Sequence, residues 1–575
     1  MDSYSDKLLK DFYCLPGETI DELYERCAEA WSTYKNVVDL ALKERLLGYF
    51  KKKWLLPASP VLSNAPDKNG IVKGLPISCF LTYVPDTVKG LIDHSSEIRL
   101  LTVMGGGIGG HWSDIRSSES TIGKTGGKPV GVIPHLIGAG NDMLAYRQGK
   151  TRKGSYAAYL NINHPDVEEF IMIREDTGDR YRRHKELNIA INITDAFMKA
   201  VIFGDNWNLV DPKTNIVTKT LKARDLFHRI IEMRAKEGEP YIFFIDEANR
   251  KLPQRMQDAG YRLNGSNLCI EITLPTSHDK TAVCCLSSSN LELYDEWRNT
   301  RLIQDAVIML DNVLEYFIEK APPELHKAVR SAIDERSIGL GTMGFHSYLQ
   351  NNLIPIESER ALELNESMFA LIKAEAVASS EQLGRERGNC LYADRRHSHL
   401  LAIAPNANNS LIANTSPSIE PWQDNYHTLD TRAGTTTRKN KALESLLIKK
   451  DMNRTEVWQS ISANESSVQH LTFLSDIEKS VFKTAFEIDQ AALIRLAAGR
   501  QKYICQSQSL NLFYKADENR GKLEADIMLA WQLGCKSLYY QRSLNPNKTE
   551  NMDTKVELVI EKPKDSKFEC VGCEG

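Results

Sequence analysis

Apolar residues along this chain repeat with two periods, and the alternation between them predicts an architecture. From Trp54 onward, short apolar runs bounded by Gly, Pro, Ser and Asn read as strands: LPASPVLSNA, PISCFLTYV, LNIAINI, PYIFFID, NLCIEITLP and AVCCLSSSNL. Between such runs lie long stretches with apolar residues at helical spacing, RLIQDAVIMLDNVLEYFIEK among them. Strands alternating with helices as far as about residue 542 predict an α/β fold. Residues 1–53 read as helical instead, because LPGETIDELYERCAEAW sets Thr19 before an acidic first turn. Towards the other end, Leu523, Ile527, Ala530 and Trp531 make one face of a helix that Gly534 stops, and Tyr539 and Tyr540 follow on a strand-like run. Residues 543–575 are rich in Asn, Lys, Glu and Asp and nearly free of aromatics, the composition of a flexible tail. The expected organisation is a helical segment over 1–53, an α/β unit over 54–542 and a tail over 543–575.

One run carries more than a core pattern. Strict alternation in NLCIEI places Asn267, Cys269 and Glu271 on one side of an extended segment, with Leu268, Ile270 and Ile272 on the other. The apolar side can enter a core. An amide, a thiol and a carboxylate on the opposite side are spaced for one small molecule.

Composition narrows the class. The chain has 575 residues, 42% hydrophobic and 26% charged, with a net charge of −4, and nothing in that balance favours nucleic acid or an acidic membrane surface. No apolar run approaches the roughly 20 residues needed to span a bilayer. MDSYSDKLLKDFYC lacks the apolar core of a signal peptide, so a cytoplasmic protein is expected.

The 11 cysteines do not suggest a disulfide scaffold in a chain this long. Most should be small buried hydrophobes. Cys79 in PISCFL and Cys284 in AVCCLS sit in strand-like runs, and Cys570 and Cys573 form a CxxC almost at the terminus. That CxxC has no matching CxxC or His pair to complete a zinc site. A dithiol on a tether, able to reduce a buried disulfide by exchange, fits it better. No metal-ligand set is expected on this chain. Gly105, Gly107 and Gly110 match GxGxxG, but no apolar helix follows them and residues 120–141 contain no Asp or Glu, so a dinucleotide site is not expected.

Together these pieces resemble the catalytic (large) subunit of ribonucleotide reductase. The resemblance runs in order from about Trp54 to Gly575 through LPASPVLSNA, PISCFL, GGGIGG, RQGKTRKGSYAAYLNINHPDVEEFI, NLCIEI, AVCCLSSSNL, RSIGLGTMGF, APNANNSLIANTSPSIEP and KSLYYQR. It implies a ten-stranded α/β barrel of two antiparallel halves, each of five parallel strands, around a central finger loop. It also implies that Cys269 becomes a transient thiyl radical and abstracts the ribose 3′ hydrogen, that Glu271 is the general base on the 3′ hydroxyl, and that Asn267 holds the sugar. Cys79 and Cys284 would supply two reducing equivalents and end as a disulfide, while Cys285 packs. Cys570 and Cys573 would restore that pair and be reduced in turn by a thioredoxin or glutaredoxin. Substrate contacts are implied at Ser59, within Ala58-Ser59-Pro60, at Ser78, and at Asn406, Ala407, Asn408, Asn409 and Ser410.

The radical must be imported, because ordinary side chains cannot generate it. Tyr539 and Tyr540 match the tyrosine dyad that relays it in class I enzymes from a separate, metal-containing small subunit. Two rivals stay open: a class II enzyme, in which adenosylcobalamin makes the radical, and a non-catalytic nucleotide-binding relative. The family further implies a homodimer with deoxynucleoside triphosphate or ATP effectors, contacted by Asp86 and Arg116, and a loop carrying Gln148 and Arg152 between effector and substrate. Only 78 residues precede Cys79, too few for a helical segment plus an ATP-cone domain of roughly a hundred residues. No overall-activity site of that kind is expected.

Overall fold

A computed structural model of the chain describes residues 4–67, 69–70, 74–122, 126–146, 154–431 and 434–544. Its centre is a ring of strands. Five of them run parallel and adjacent: β1 (Cys79–Tyr83), β2 (Gly107–His111), β3 (Ser155–Asn161), β4 (Asn188–Ile193) and β5 (Tyr241–Phe244). Two more parallel neighbours, β6 (Ala282–Asn290) and β7 (Ile338–Met343), belong to an opposed half. The halves meet antiparallel at both joints, β1 against β6 and β5 against β8 (Ser537–Leu538).

Two irregular segments close the ring. Residues 401–403 bridge to Leu340 of β7, and Ile403 bridges to Gln508. The Tyr539 amide then donates to the Leu510 carbonyl at 2.8 Å, and beyond it Leu512–Lys515 pairs in parallel with Gln541–Leu544. Counting these segments, the second half also has five parallel members. The barrel expected from the resemblance is therefore present, with two of its ten members held by isolated bridges rather than continuous ladders.

Alternation along each strand decides what faces the lumen. On β6, Ala282, Cys284 and Leu286 point inward and join Cys79 and Leu81 of β1 in one apolar cluster. Val283 and Cys285 point outward into the main core beneath the helices, where the Cys285 sulfur contacts the Leu310 carbonyl at 3.5 Å. Adjacent cysteines thus have opposite environments, as expected for Cys285. On β3 and β5 the inward residues include Tyr159, Tyr241 and Phe243. Both faces of such strands are buried, which is why they read as continuous apolar runs.

The helix predicted from the acidic turn is Ile20–Trp31, capped reciprocally by Thr19 and Glu22. It packs on the barrel through Trp31, whose indole N–H donates to the Val61 carbonyl at 2.9 Å. The long amphipathic stretch is the helix Leu302–Lys320, and Arg520–Gln532 is the helix before the tyrosine pair, with Gly534 at φ +77° just beyond its end. No helix among the described residues is long and apolar enough to cross a membrane.

Candidate functional site

Between β5 and β6 the chain leaves the wall and threads the barrel lumen. Gly109 of β2 makes this passage possible: a Cβ there would lie 1.9 Å from the Ser266 carbonyl oxygen and 2.8 Å from the Asn267 Cα. The loop is gripped on its other flank by the Tyr159 hydroxyl, which donates to the Asn267 carbonyl at 2.6 Å.

Here the alternation reading needs correction. Residues 267–272 are not extended; they turn, with the Ile270 amide donating to the Asn267 carbonyl at 3.3 Å. Ile270 itself has φ +65°, a left-handed conformation that costs a β-branched residue energy. The apolar side chains consequently do not share one face. Leu268 and Ile270 join Tyr159, Tyr241, Phe243 and Tyr539 in one cluster, whereas Ile272 joins Cys79 and Cys284 in another. The loop divides the lumen into a tyrosine side and a thiol side, and Cys269 and Glu271 flank the divide.

On the thiol side, Cys79 and Cys284 are directly opposed across the β1–β6 joint. Facing positions in an antiparallel pair hold their Cα atoms about 4.5–5.5 Å apart, inside the range a disulfide bridges. The Asn267 amide donates to the Cys79 sulfur at 3.2 Å, and that thiol reaches Glu271 Oε1 at 3.8 Å and Ser78 Oγ at 3.6 Å. Burial, reinforced by Cys285 and Cys79 nearby, pushes the Cys284 thiol well above its ordinary range, so it is a neutral hydrogen donor at physiological pH.

Glu271 is buried, and Ser509 Oγ donates to its Oε2 at 3.3 Å and to the Cys269 carbonyl at 2.5 Å. The Ser507 amide donates to the Glu271 carbonyl at 2.8 Å. Gln506 accepts from the Thr273 amide at 3.2 Å and approaches the Cys284 sulfur at 3.9 Å. Sequence reasoning missed Gln506, Ser507 and Ser509, as well as Tyr159 and Gly109. The one signal for Gln506, Ser507 and Ser509 was alternating Gln and Ser in CQSQSLN, which composition alone marks as an exposed loop.

The tyrosine side leads outward. Tyr539 is buried and Tyr540 half-buried, with ring centroids 4.4 Å apart. Tyr241 completes a triad, 4.6 Å from Tyr539 and 4.9 Å from Tyr540. The half-buried Cys269 packs against this same cluster.

The expected phosphate segments meet at one rim. Asn409 donates to the Leu56 and Pro57 carbonyls at 3.3 and 3.2 Å, so the start of the helix Ala407–Ala413, with Asn406 at its N-cap, is docked beside Ala58 and Ser59. Asn406, at φ +56°, accepts from Ser288 Oγ at 2.9 Å. Ser410 donates to the Ala407 carbonyl at 2.9 Å, and Ser59 Oγ lies 2.8 Å from the Tyr13 hydroxyl. Ala407 is exposed and Asn408 half-buried. The pair expected to meet an effector, Asp86 and Arg116, lies apart from this lumen and is joined to itself, with Arg116 Nε donating to both carboxylate oxygens at 3.0 and 2.9 Å. Gln148, Arg152, Cys570 and Cys573 fall outside the described residues.

Comparison with known proteins agrees with this geometry. The family model described as ribonucleotide reductase, barrel domain, matches residues 77–395 and 393–541. A Frog virus 3 (isolate Goorha) protein assigned as a ribonucleoside-diphosphate reductase large subunit is 46% identical over 100% of this chain and 98% of its own length. The ribonucleoside-diphosphate reductase large subunit of Invertebrate iridescent virus 3 is 40% identical over 93% of each chain. Among solved structures, the class Id ribonucleotide reductase alpha subunit of Actinobacillus ureae superposes with a TM-score of 0.84 at 32% identity, covering 95% of this chain and 97% of that one.

Proposed function

The chain belongs to the ribonucleotide reductase family as a large subunit, and we propose that it reduces ribonucleoside diphosphates to 2′-deoxyribonucleotides at the tip of the loop that threads its barrel. The observation that carries this reading is the opposition of Cys79 and Cys284 beneath a tip that presents Asn267, Cys269 and Glu271. A thiyl radical on Cys269 takes the 3′ hydrogen of the ribose, and Glu271 takes the 3′ hydroxyl proton. Asn267 holds the sugar in register with both. The 2′ hydroxyl leaves as water. Cys79 and Cys284 supply two hydrogens in all and become a disulfide, and Cys269 returns the 3′ hydrogen. The sum is one ribonucleotide and two thiols giving one deoxyribonucleotide, one water and one disulfide.

In this reading the oxidising equivalent arrives through Tyr540 and Tyr539 from a small subunit, whose metal chemistry belongs to that partner. A class I assignment is favoured over the adenosylcobalamin alternative by the class of the superposed alpha subunit. The phosphates lie at the rim formed by Ala58, Ser59 and residues 406–410. Asp86 and Arg116 serve an effector nucleotide, Gln148 and Arg152 link effector to substrate, and Cys570 and Cys573, with a thioredoxin-like donor, reset the thiols. Residues 1–53, 54–542 and 543–575 act as helical platform, catalytic barrel and redox tail of a homodimer.

The test is a single turnover of the Cys570→Ser/Cys573→Ser double variant, whose tail cannot reset the barrel thiols, with the small subunit, an effector and CDP, without external dithiol. Alkylation and mass spectrometry of the product enzyme are expected to find Cys79 and Cys284 joined in proportion to the dCDP formed. Full alkylation of both thiols alongside dCDP formation would refute the assignment.

A further inference from the structure

A buried polar network ends on the outer tyrosine, and the proposed chemistry does not yet use it. Glu239 is 1% exposed, and both its oxygens accept hydrogen bonds: Oε2 from the Ile189 amide at 2.8 Å and Oε1 from Asn188 Nδ2 at 2.7 Å. Arg174 lies 3.6 Å from Oε1 and is itself fixed by donating to the Leu187 carbonyl at 2.6 Å. Asn188 opens β4, so its backbone is held in the barrel wall.

The orientation of its amide follows from this. A carboxylate oxygen only accepts, so the NH2 group of Asn188 must face Glu239. The same nitrogen lies 2.9 Å from the Tyr540 hydroxyl, and its second hydrogen is therefore donated to the phenol oxygen. On the ring, the Arg542 guanidinium sits 4.4 Å from the centroid and Tyr241 meets it edge-on. Tyr540 is thus held by its face, its edge and its oxygen, although it is half-buried beside the surface.

We propose that Asn188, locked by Glu239, is a positioning residue for radical transfer: it fixes the Tyr540 phenol against Tyr539 so that its oxygen can take the proton that Tyr539 gives up. This rests on the reading of Tyr539 and Tyr540 as the relay. The inward hop moves one electron and one proton together, so the Tyr539 O–H bond breaks as the Tyr540 O–H bond forms, and the radical passes from Tyr540 to Tyr539. An amide hydrogen on one side of the Tyr540 oxygen leaves that oxygen to receive the proton from the Tyr539 side. It also restrains the ring from swinging away from its tilted contact with Tyr539, at 4.4 Å between centroids.

The experiment places 3-aminotyrosine at position 540 of the full chain and mixes it with the small subunit, CDP and an effector. The trapped radical is then examined by electron–nuclear double resonance after deuterium exchange. An exchangeable deuteron coupling from the amide is expected in the parent and lost in Asn188→Leu. In the chain with natural Tyr540, Asn188→Leu is expected to lower kcat tenfold or more while KM for CDP and affinity for the small subunit hold. A radical at 540 without that coupling would overturn the proposal, and this parent spectrum decides even where Asn188→Leu fails to fold. So would unchanged kcat in the variant. No radical at 540 at all would overturn the relay reading, and the proposal with it.

Discussion

Gly109 carries a constraint that no neighbour can relax. Its missing Cβ is the space through which the Ser266 carbonyl passes, and both partners there are backbone. Gly109→Ala should therefore displace the finger loop, not merely crowd it. A misplacement near 1 Å at a reacting group costs roughly 100-fold in rate. We expect kcat to fall by about that factor while circular dichroism and effector binding persist; near-normal turnover would show that the loop is not fixed there. Ile270 makes the complementary point. Its φ of +65° is tolerated because its side chain is anchored in the tyrosine cluster, and it turns Cys269 and Glu271 towards different sides of the lumen. Alternation could identify Asn267, Cys269 and Glu271 as a set. It could not reveal the turn, because a buried loop packed on both sides alternates much as a strand does.

Among the elements, the helix Leu302–Lys320 and the approach to β7 are clamped by one carboxylate. Asp311 is fully buried and meets Arg336 at 2.5 Å, Arg387 at 2.7 Å, Arg396 at 3.0 Å and His397 at 3.4 Å. Arg387 also stacks 3.8 Å over Tyr34, tying in the N-terminal segment. Burial pushes the Asp311 carboxyl upward, but Arg336, His397 and Arg396 outweigh it and hold the group well below its ordinary value. A depressed carboxyl contributes stability above its unfolded pKa, about 3.9, and loses it as pH falls towards the folded value. Asp311→Asn removes the one carboxylate shared by Arg336, Arg387 and Arg396, leaving only Glu315 beside Arg336 and Arg396, and should cost about 3–5 kcal/mol. Denaturant melts at pH 7 check that figure, and the difference between wild type and variant should shrink below about pH 4; a constant difference down to pH 3 would contradict the account. Strands β1, β4, β5 and β6 were legible as apolar runs, as was the long helix. The ring-closing residues 506–509 were not. Gln506, Ser507, Gln508 and Ser509 are all buried yet polar, and they are stable there only because partners such as Glu271, Thr273 and Arg500 satisfy them. Composition records the polarity and not the partners.

Across the whole molecule, the barrel separates two kinds of chemistry by a single loop. Tyrosines lead from the half-buried Tyr540 through Tyr539 to the cluster that receives Cys269, while the opposed thiols lie beyond Glu271. In the function proposed above, an oxidant arriving through the tyrosines and the reducing thiols would thereby be kept on opposite sides of the loop. The ordered motifs along the chain made this division recognisable as a family resemblance, but periodicity alone reached only α/β. The most direct test of the central claim is CDP reduction by the purified chain with dithiothreitol and an effector, supplied in parallel with the small subunit or with adenosylcobalamin. Formation of dCDP is expected with the small subunit, and none with adenosylcobalamin. Turnover with adenosylcobalamin alone, or silence with the small subunit present, would contradict it.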